Sequence, residues 1–224
     1  MAKSQNPSET ELKEMFIRLG KEQEEIINAV GSVTHAWSNL ESVMLHVFGL
    51  LTHENSLSEA ASVVFYTPSN FETRISFLRN LFAYFFPSEA SSTNKLLSEC
   101  WLKIEGKIAG KQGVRNRIIH GTISSATPGL KSPLDQQMRL TPQVFDVARM
   151  RKEFNDKQKI GLSGSDIRAH VGAVVRLITL VSRLAGILHD LISKDPKAQS
   201  EGAAKLSELH SQLYSGSKNQ DQAQ

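Results

Sequence analysis

The chain has 224 residues, 40% of them hydrophobic and 22% charged, with a formal net charge of +3. That length and balance suit one domain or two small ones, bury enough apolar surface to fold without a metal or disulfide, and exclude wholesale disorder. The single cysteine, Cys100, excludes an intrachain disulfide framework and a cysteine-rich zinc module, and fits a reducing compartment.

The opening MAKSQNPSETELKEM lacks the apolar run of a signal peptide, so a cytoplasmic location is expected. Residues 1–7 read as a flexible start. Ser8-Glu9-Thr10-Glu11 is a capping-box pattern, and Leu12, Met15, Phe16 and Leu19 follow as a helical apolar face. Val30, Val33, Trp37, Leu40, Met44, Val47 and Leu51 then step by three and four, which is one stripe on one long helix. The segment His53-Glu54-Asn55-Ser56 ends it.

A short helix is expected over 57–66, and the turn Thr67-Pro68-Ser69-Asn70 opens another with Phe71, Ile75, Leu78, Phe82 and Phe85, which stops before Pro87. A fourth main helix begins near Glu89 and carries Leu97, Trp101, Ile104 and Ile108. Gly121 stands where a residue just past a helix end would stand.

From Thr122 to about Val147 the helical period disappears. Met138-Arg139-Leu140 and Gln143-Val144-Phe145 are the candidate strands of a small hairpin. Helical period returns after Gly161-Leu162-Ser163-Gly164-Ser165 with Ile167, Val171, Val174, Ile178, Val181 and Leu188. The apolar run Val171 to Ile192 carries Arg176, Arg183, His189 and Asp190, so it reads as a buried amphipathic helix rather than a membrane span.

The organisation expected is all-α. Residues 8–196 form an up-and-down four- or five-helix bundle, with a small β-hairpin-like insert at about 122–148 before the last long helix. Residues 197–224 form a polar, largely disordered tail in which only Leu206, Leu209 and Leu213 make a short helix.

Scanning for chemistry removes most classes. Gly106-Lys107-Ile108-Ala109-Gly110-Lys111-Gln112 has the wrong glycine spacing for a phosphate loop, lacks the Ser or Thr that holds magnesium, and lies in a helical segment. Gly161-Leu162-Ser163-Gly164-Ser165 lacks the last glycine of a nucleophile elbow. No histidine pair has zinc-protease spacing, so neither metal nor cofactor is expected. Cys100, beside Trp101, reads as a small core hydrophobe.

What remains is basic. Residues 101–120 hold Lys103, Lys107, Lys111, Arg115 and Arg117 against one carboxylate, Glu105, a local +4 that exceeds the +3 of the whole chain. Like charges every four residues repel by a few tenths of a kcal/mol per pair, so the stripe needs anions opposite it. Carboxylates of the first helix could supply them, and so could a phosphate backbone. The apolar seam Leu97, Trp101, Ile104, Ile108 also continues in register to Lys111, Arg115 and Ile118. Two cations stand where core residues belong, so either a carboxylate meets them, with Glu41 the candidate, or the seam opens into a polar cleft.

His120 follows at the helix end, where the helix dipole favours a cation by about 0.3–1 kcal/mol. Asn116 shares its face. Arg115 is about 140° away round an ideal helix, so the guanidinium wraps round, the helix end unwinds, or two chains contribute.

Arg115-Asn116-Arg117-Ile118-Ile119-His120-Gly121 resembles the signature of the HEPN superfamily (higher eukaryotes and prokaryotes nucleotide-binding). Its members carry Arg, a polar residue, three or more further residues and then His near the end of a helix in a four- or five-helix bundle. Trp37-Ser38-Asn39-Leu40-Glu41 is similar to a segment of a bacterial subset that also has a β-like insert after His-Gly. The resemblance covers roughly residues 20–195.

It implies a metal-independent endoribonuclease, of the kind found among toxins and defence effectors, in which the 2′-hydroxyl of RNA attacks the neighbouring phosphate and leaves a 2′,3′-cyclic end. His120 would be the general acid or base, a role worth about 10²–10⁴-fold. Arg115 would hold the phosphate and Asn116 would orient the pair, with Lys107, Lys111 and Arg117 along the RNA. A homodimer that shares the site, and an antitoxin-like protein partner, are further implications. The same residues also read as a packing device, with Arg115 paired to Glu41 and His120-Gly121 ending the helix. In that case the protein is a dimeric scaffold or nucleotide- or nucleic-acid-binding module that cleaves nothing.

Overall fold

The structure, a computed structural model, describes residues 7–52, 59–126, 133–141 and 161–215. Its elements are α1 (Glu9–Leu51), α2 (Glu59–Tyr66), α3 (Phe71–Phe85), α4 (Ser92–Ile119), β1 (Thr122–Ala126), β2 (Gln137–Thr141), α5 (Gly164–Ile192) and α6 (Pro196–Ser215). A 3₁₀ turn at Pro133–Asp135 precedes β2. This is the expected all-α bundle with a small β insert.

The first two apolar runs belong to one helix of 43 residues. Its start is the expected capping box: the Ser8 amide donates to Glu11 Oε2 at 2.8 Å, and Ser8 Oγ accepts from the Glu11 amide at 3.3 Å. The Ser8 donors hold the Glu11 carboxyl below its ordinary pKa. A second box, with Asp in place of Glu, starts α5, where Asp166 Oδ2 accepts from the Ser163 amide at 2.9 Å.

The chain divides into two compact units. The first joins residues 1–36 to 112–173 and so holds the first part of α1, the end of α4, the hairpin and the start of α5. Ile26, Ala29, Val33, Ile118, Leu140 and Ile167 are its buried core. The second unit joins residues 37–111 to 174–224. There Leu40, Met44, Leu97, Ile104, Val181 and Leu184 are fully buried, and Trp101 stacks on Phe82 with ring centroids 4.8 Å apart. The seam of α4 is therefore core as expected, and Cys100 with it.

Three expectations are corrected. The partner of Met138-Arg139-Leu140 is 122–126: β1 and β2 pair antiparallel, with Ile123 opposite Leu140. Gln143-Val144-Phe145 lies outside the described residues. Thr-Ile-Ser-Ser-Ala carries little alternation, and a two-stranded ribbon is held by what it packs on rather than by its own propensity. The fourth main helix begins at Ser92 rather than near Glu89, with Ser91 Oγ accepting from the Asn94 amide at 3.0 Å.

The tail is the third. Residues 196–215 form a 20-residue helix, α6, with Leu206, Leu209 and Leu213 buried. Asp195 caps it, its Oδ1 accepting from the Lys197 amide at 2.9 Å, and Pro196 takes the first helical position, where a missing N–H costs nothing. Gly202 lets α6 approach α5 closely, because a Cβ there would stand 2.9 Å from Asp190 Cβ. Lys205 Nζ donates to Asp190 Oδ2 at 2.7 Å, which lowers the Asp190 pKa and raises that of Lys205. The short helix expected at Leu206, Leu209 and Leu213 is thus 20 residues long, and these leucines share its buried side.

α5 is long and apolar enough to cross a membrane by length and composition, and 39% of its most apolar window is buried. Ile167, Val174, Val181, Leu184 and Leu188 of this helix are core residues, which agrees with the amphipathic reading.

If α6 is part of the folded unit rather than an ornament, Leu209→Ala should lower stability by about 2–5 kcal/mol. Equilibrium urea denaturation followed by circular dichroism measures it; a loss under about 0.5 kcal/mol would mean that the helix does not contribute to the core.

Candidate functional site

The motif lies at the C-terminal end of α4, in the first unit. Arg115 is half-buried, and Asn116, Arg117 and His120 are exposed. Arg115 Nη1 donates to Asn116 Oδ1 at 3.0 Å, so the guanidinium is turned toward the side of the helix that Asn116 shares with His120. The His120 amide donates to the Asn116 carbonyl at 3.0 Å. The α-helical hydrogen bonding thus persists through His120, so the alternative of an unwound helix end is not what the structure has. Asn116 and His120 differ by only about 40° round that turn.

The chain leaves the helix abruptly. The Gly121 amide donates to the Ile118 carbonyl at 3.4 Å, and the chain enters β1 at once. Gly121 does not take the left-handed conformation expected past a helix end; among the described residues the glycine with positive φ is Gly161, at +77°. Glycine is needed at 121 for space, since a Cβ there would stand 2.7 Å from Leu140 Cγ and 3.0 Å from the Arg117 carbonyl oxygen. Leu140 is in turn fixed by Leu162, each amide donating to the other's carbonyl at 2.9 Å. The hairpin is the floor on which the His120-Gly121 end rests.

Two residues of α1 that the sequence analysis did not single out hold this floor in place. Arg18 Nη2 donates to the carbonyls of Leu134 and Gln136, both at 2.8 Å, and Glu22 Oε2 accepts from the Met138 amide at 2.8 Å. Glu25 pairs with Arg168 at the start of α5. The available signal was the Arg18–Glu22 spacing of four, a pair on one helix face, 3.6 Å apart in the structure.

Glu41, the candidate counter-ion of the seam, lies in the second unit and has Arg74 at 3.2 Å. Arg74 also sits over the Tyr66 ring, 5.3 Å from its centroid. The basic stripe of α4 is divided in its use. Lys103 stands over the Tyr214 ring of α6 at 5.2 Å, whereas Lys107 is exposed and Lys111 half-buried. Glu105, which sequence reading counted as the lone opposing charge of the stripe, is buried and held by Arg79 through two charge-assisted hydrogen bonds, one of them 2.9 Å long. That pair raises the Arg79 pKa.

Among the described residues no three His, Cys, Asp or Glu side chains converge as metal ligands. Gly106 and Gly110 are interior to α4, which settles them as helix residues rather than a phosphate loop. No protein-family model matches the chain, and neither the curated proteins nor the solved structures yield a significant match.

Two expected outcomes follow. Gly121→Ala should lower stability by about 1–3 kcal/mol through overpacking against Leu140. In a Leu140→Ala background the same substitution should cost less, and equal costs measured in a denaturant double-mutant cycle would refute the contact. Burial, with Glu99 adding to it, pushes the Cys100 thiol up to about 11. A chromogenic disulfide reagent at pH 8 should therefore leave the native chain unlabelled and modify one thiol in urea; fast native labelling would contradict a core role.

Proposed function

We propose that the protein is a metal-independent endoribonuclease of HEPN type, acting with a second copy of itself. The observation that supports it is the placement of Arg115, Asn116 and His120 at the wound C-terminal end of α4, with the guanidinium turned onto Asn116 and the imidazole in solvent. Arg117, exposed beside them, adds positive charge for the flanking phosphates.

In this reading the 2′-hydroxyl attacks the adjacent phosphorus, the P–O5′ bond breaks, and a 2′,3′-cyclic phosphate and a 5′-hydroxyl result. His120 transfers a proton, either from the attacking hydroxyl or to the leaving oxygen. Arg115 stabilises the charge that develops on the phosphoryl oxygens, in the orientation that Asn116 sets. DNA is refused because it lacks the nucleophile.

A second reading is favoured by one observation: Asn116 and His120 are exposed on the single chain. Electrostatic stabilisation is strongest where water is excluded. Unless RNA or a second copy covers them, these residues serve binding rather than cleavage, and the protein is a dimeric scaffold or a nucleotide- or nucleic-acid-binding module.

Purified wild type and His120→Ala should be incubated in EDTA with end-labelled single-stranded and structured RNA, and the product ends resolved. The expected result is cleavage with cyclic phosphate ends by wild type and a loss of at least about 100-fold in the variant. Both proteins should unfold within about 0.5 kcal/mol of each other, as expected for an exposed position. Binding of RNA without cleavage would favour the second reading, and neither binding nor cleavage would remove RNA from both.

A further inference from the structure

In the second unit, α1, the end of α5 and α6 border a groove of about 440 Å³. Residues 185–187 of α5 are its floor, and His46, Arg183, His189, Asp190 and Lys205 stand round it. Gly186 is exposed, and no atom lies within 4 Å of where its Cβ would be. Packing accounts for glycine at 164 and 202, where a Cβ would stand 2.7 Å from Glu25 Cδ and 2.9 Å from Asp190 Cβ. No such neighbour exists at 186. What a side chain there would occupy is the groove, and glycine is the residue that lets a ligand come close to a backbone.

The basic groups round the floor are held in place. Asp190 draws two of them together: Lys205 Nζ donates to its Oδ2 at 2.7 Å, and His189 Nδ1 lies 3.7 Å from its Oδ1. Arg183 is steadied from α6, with Nη1 donating to Gln212 Oε1 at 2.6 Å and Nη2 lying 3.0 Å from Glu208. His46 enters from α1, about 160° round that helix from Phe48. Phe48 meets Phe65 of α2 with centroids 5.7 Å apart, so α2 packs on the side of α1 away from the groove. α6 runs from Lys205 toward Tyr214, which lies beside Lys103 of α4.

We propose that this groove binds a phosphate group carried on a compact, non-aromatic body, with the phosphate over Gly186. The donors decide the class. Arg183 and Lys205 outnumber Asp190 among the lining charges, and each imidazole offers one N–H when neutral and two when protonated. They come from three helices, so they reach one space from several directions. That suits a tetrahedral oxyanion, whereas a planar carboxylate is met best by a fork in its own plane. No Phe, Tyr or Trp is among the lining residues, so a nucleobase has no ring to stack on. A soluble phosphate ester and a phospholipid headgroup share this chemistry. The Arg115-Asn116-His120 motif belongs to the first unit and takes no part, so this site and RNA cleavage stand or fall separately.

The test is an NMR titration of the full chain at fixed pH and ionic strength, with inorganic phosphate and glycerol 3-phosphate as probes and chloride as control. Both probes should shift the amides of 185–187 and the rings of His46 and His189 saturably, and chloride should not. Gly186→Leu fills the floor without a clash, and a double variant, His46→Ala with His189→Ala, removes two donors. Each should weaken binding at least about tenfold and melt no lower than wild type by circular dichroism, because all three positions are exposed. Flotation with phosphatidic acid vesicles, lost in Gly186→Leu, would assign the site to a headgroup, and its absence to a soluble ester. Shifts that chloride reproduces, binding indifferent to both variants, or a response of 185–187 to RNA but to neither phosphate probe would each overturn the proposal.

Discussion

A helix of 43 residues with an apolar stripe along it cannot stand alone in water, and the fold is the set of elements that cover that stripe. Each unit takes its own share. Ile26, Ala29 and Val33 are the α1 contribution to the core with the hairpin, the end of α4 and the start of α5. Leu40, Met44 and Val47 are buried in the second unit, with Trp37 against Phe71 at 4.9 Å between centroids. The same helix carries polar anchors, Arg18, Glu22 and Glu25, that tie down the insert and α5.

The end of α4 shows how a small β element can decide a site's geometry without supplying its chemistry. Leu140 occupies the space beside Gly121, Leu162 holds Leu140 by a reciprocal pair of hydrogen bonds, and the α-helical turn stays wound through His120. Rigid support of this kind is what a site needs if reacting groups are to be held to a fraction of an ångström. Two-stranded ribbons are marginal by themselves. This one draws its stability from Ile123, Met138 and Leu140 on the helical core and from carbonyls satisfied by Arg18.

The charges sort by partner. Arg79 with Glu105, Arg74 with Glu41 and Lys205 with Asp190 are internal pairs of the second unit, and Lys103 lies on an aromatic face. Of the α4 run, Lys103 is engaged on that ring, whereas Lys107 and Arg117 are exposed. Asn116, Arg117 and His120 are exposed, with Arg115 half-buried and turned to Asn116, and on these four the functional proposal rests.

The helices and their buried faces were legible because period and burial coincide: Leu97, Trp101, Ile104 and Ile108 are core where their spacing of three and four says they should be. The capping box at Ser8 and the structural role of Cys100 were equally readable, the first from local chemistry and the second from its place beside the seam. Other features depend on contacts distant in sequence. The true partner of 138–140, the reason for glycine at 121 and the helix at 196–215 are of this kind. So is the choice of Arg74 for Glu41. By itself the amino-acid sequence determined an all-α bundle, its apolar stripes and the motif at the end of α4, because these follow from hydrophobic period and residue type along one helix. Tertiary structure alone decided which side chains meet across elements, because packing and ion pairing depend on which surfaces touch, and no local pattern specifies that.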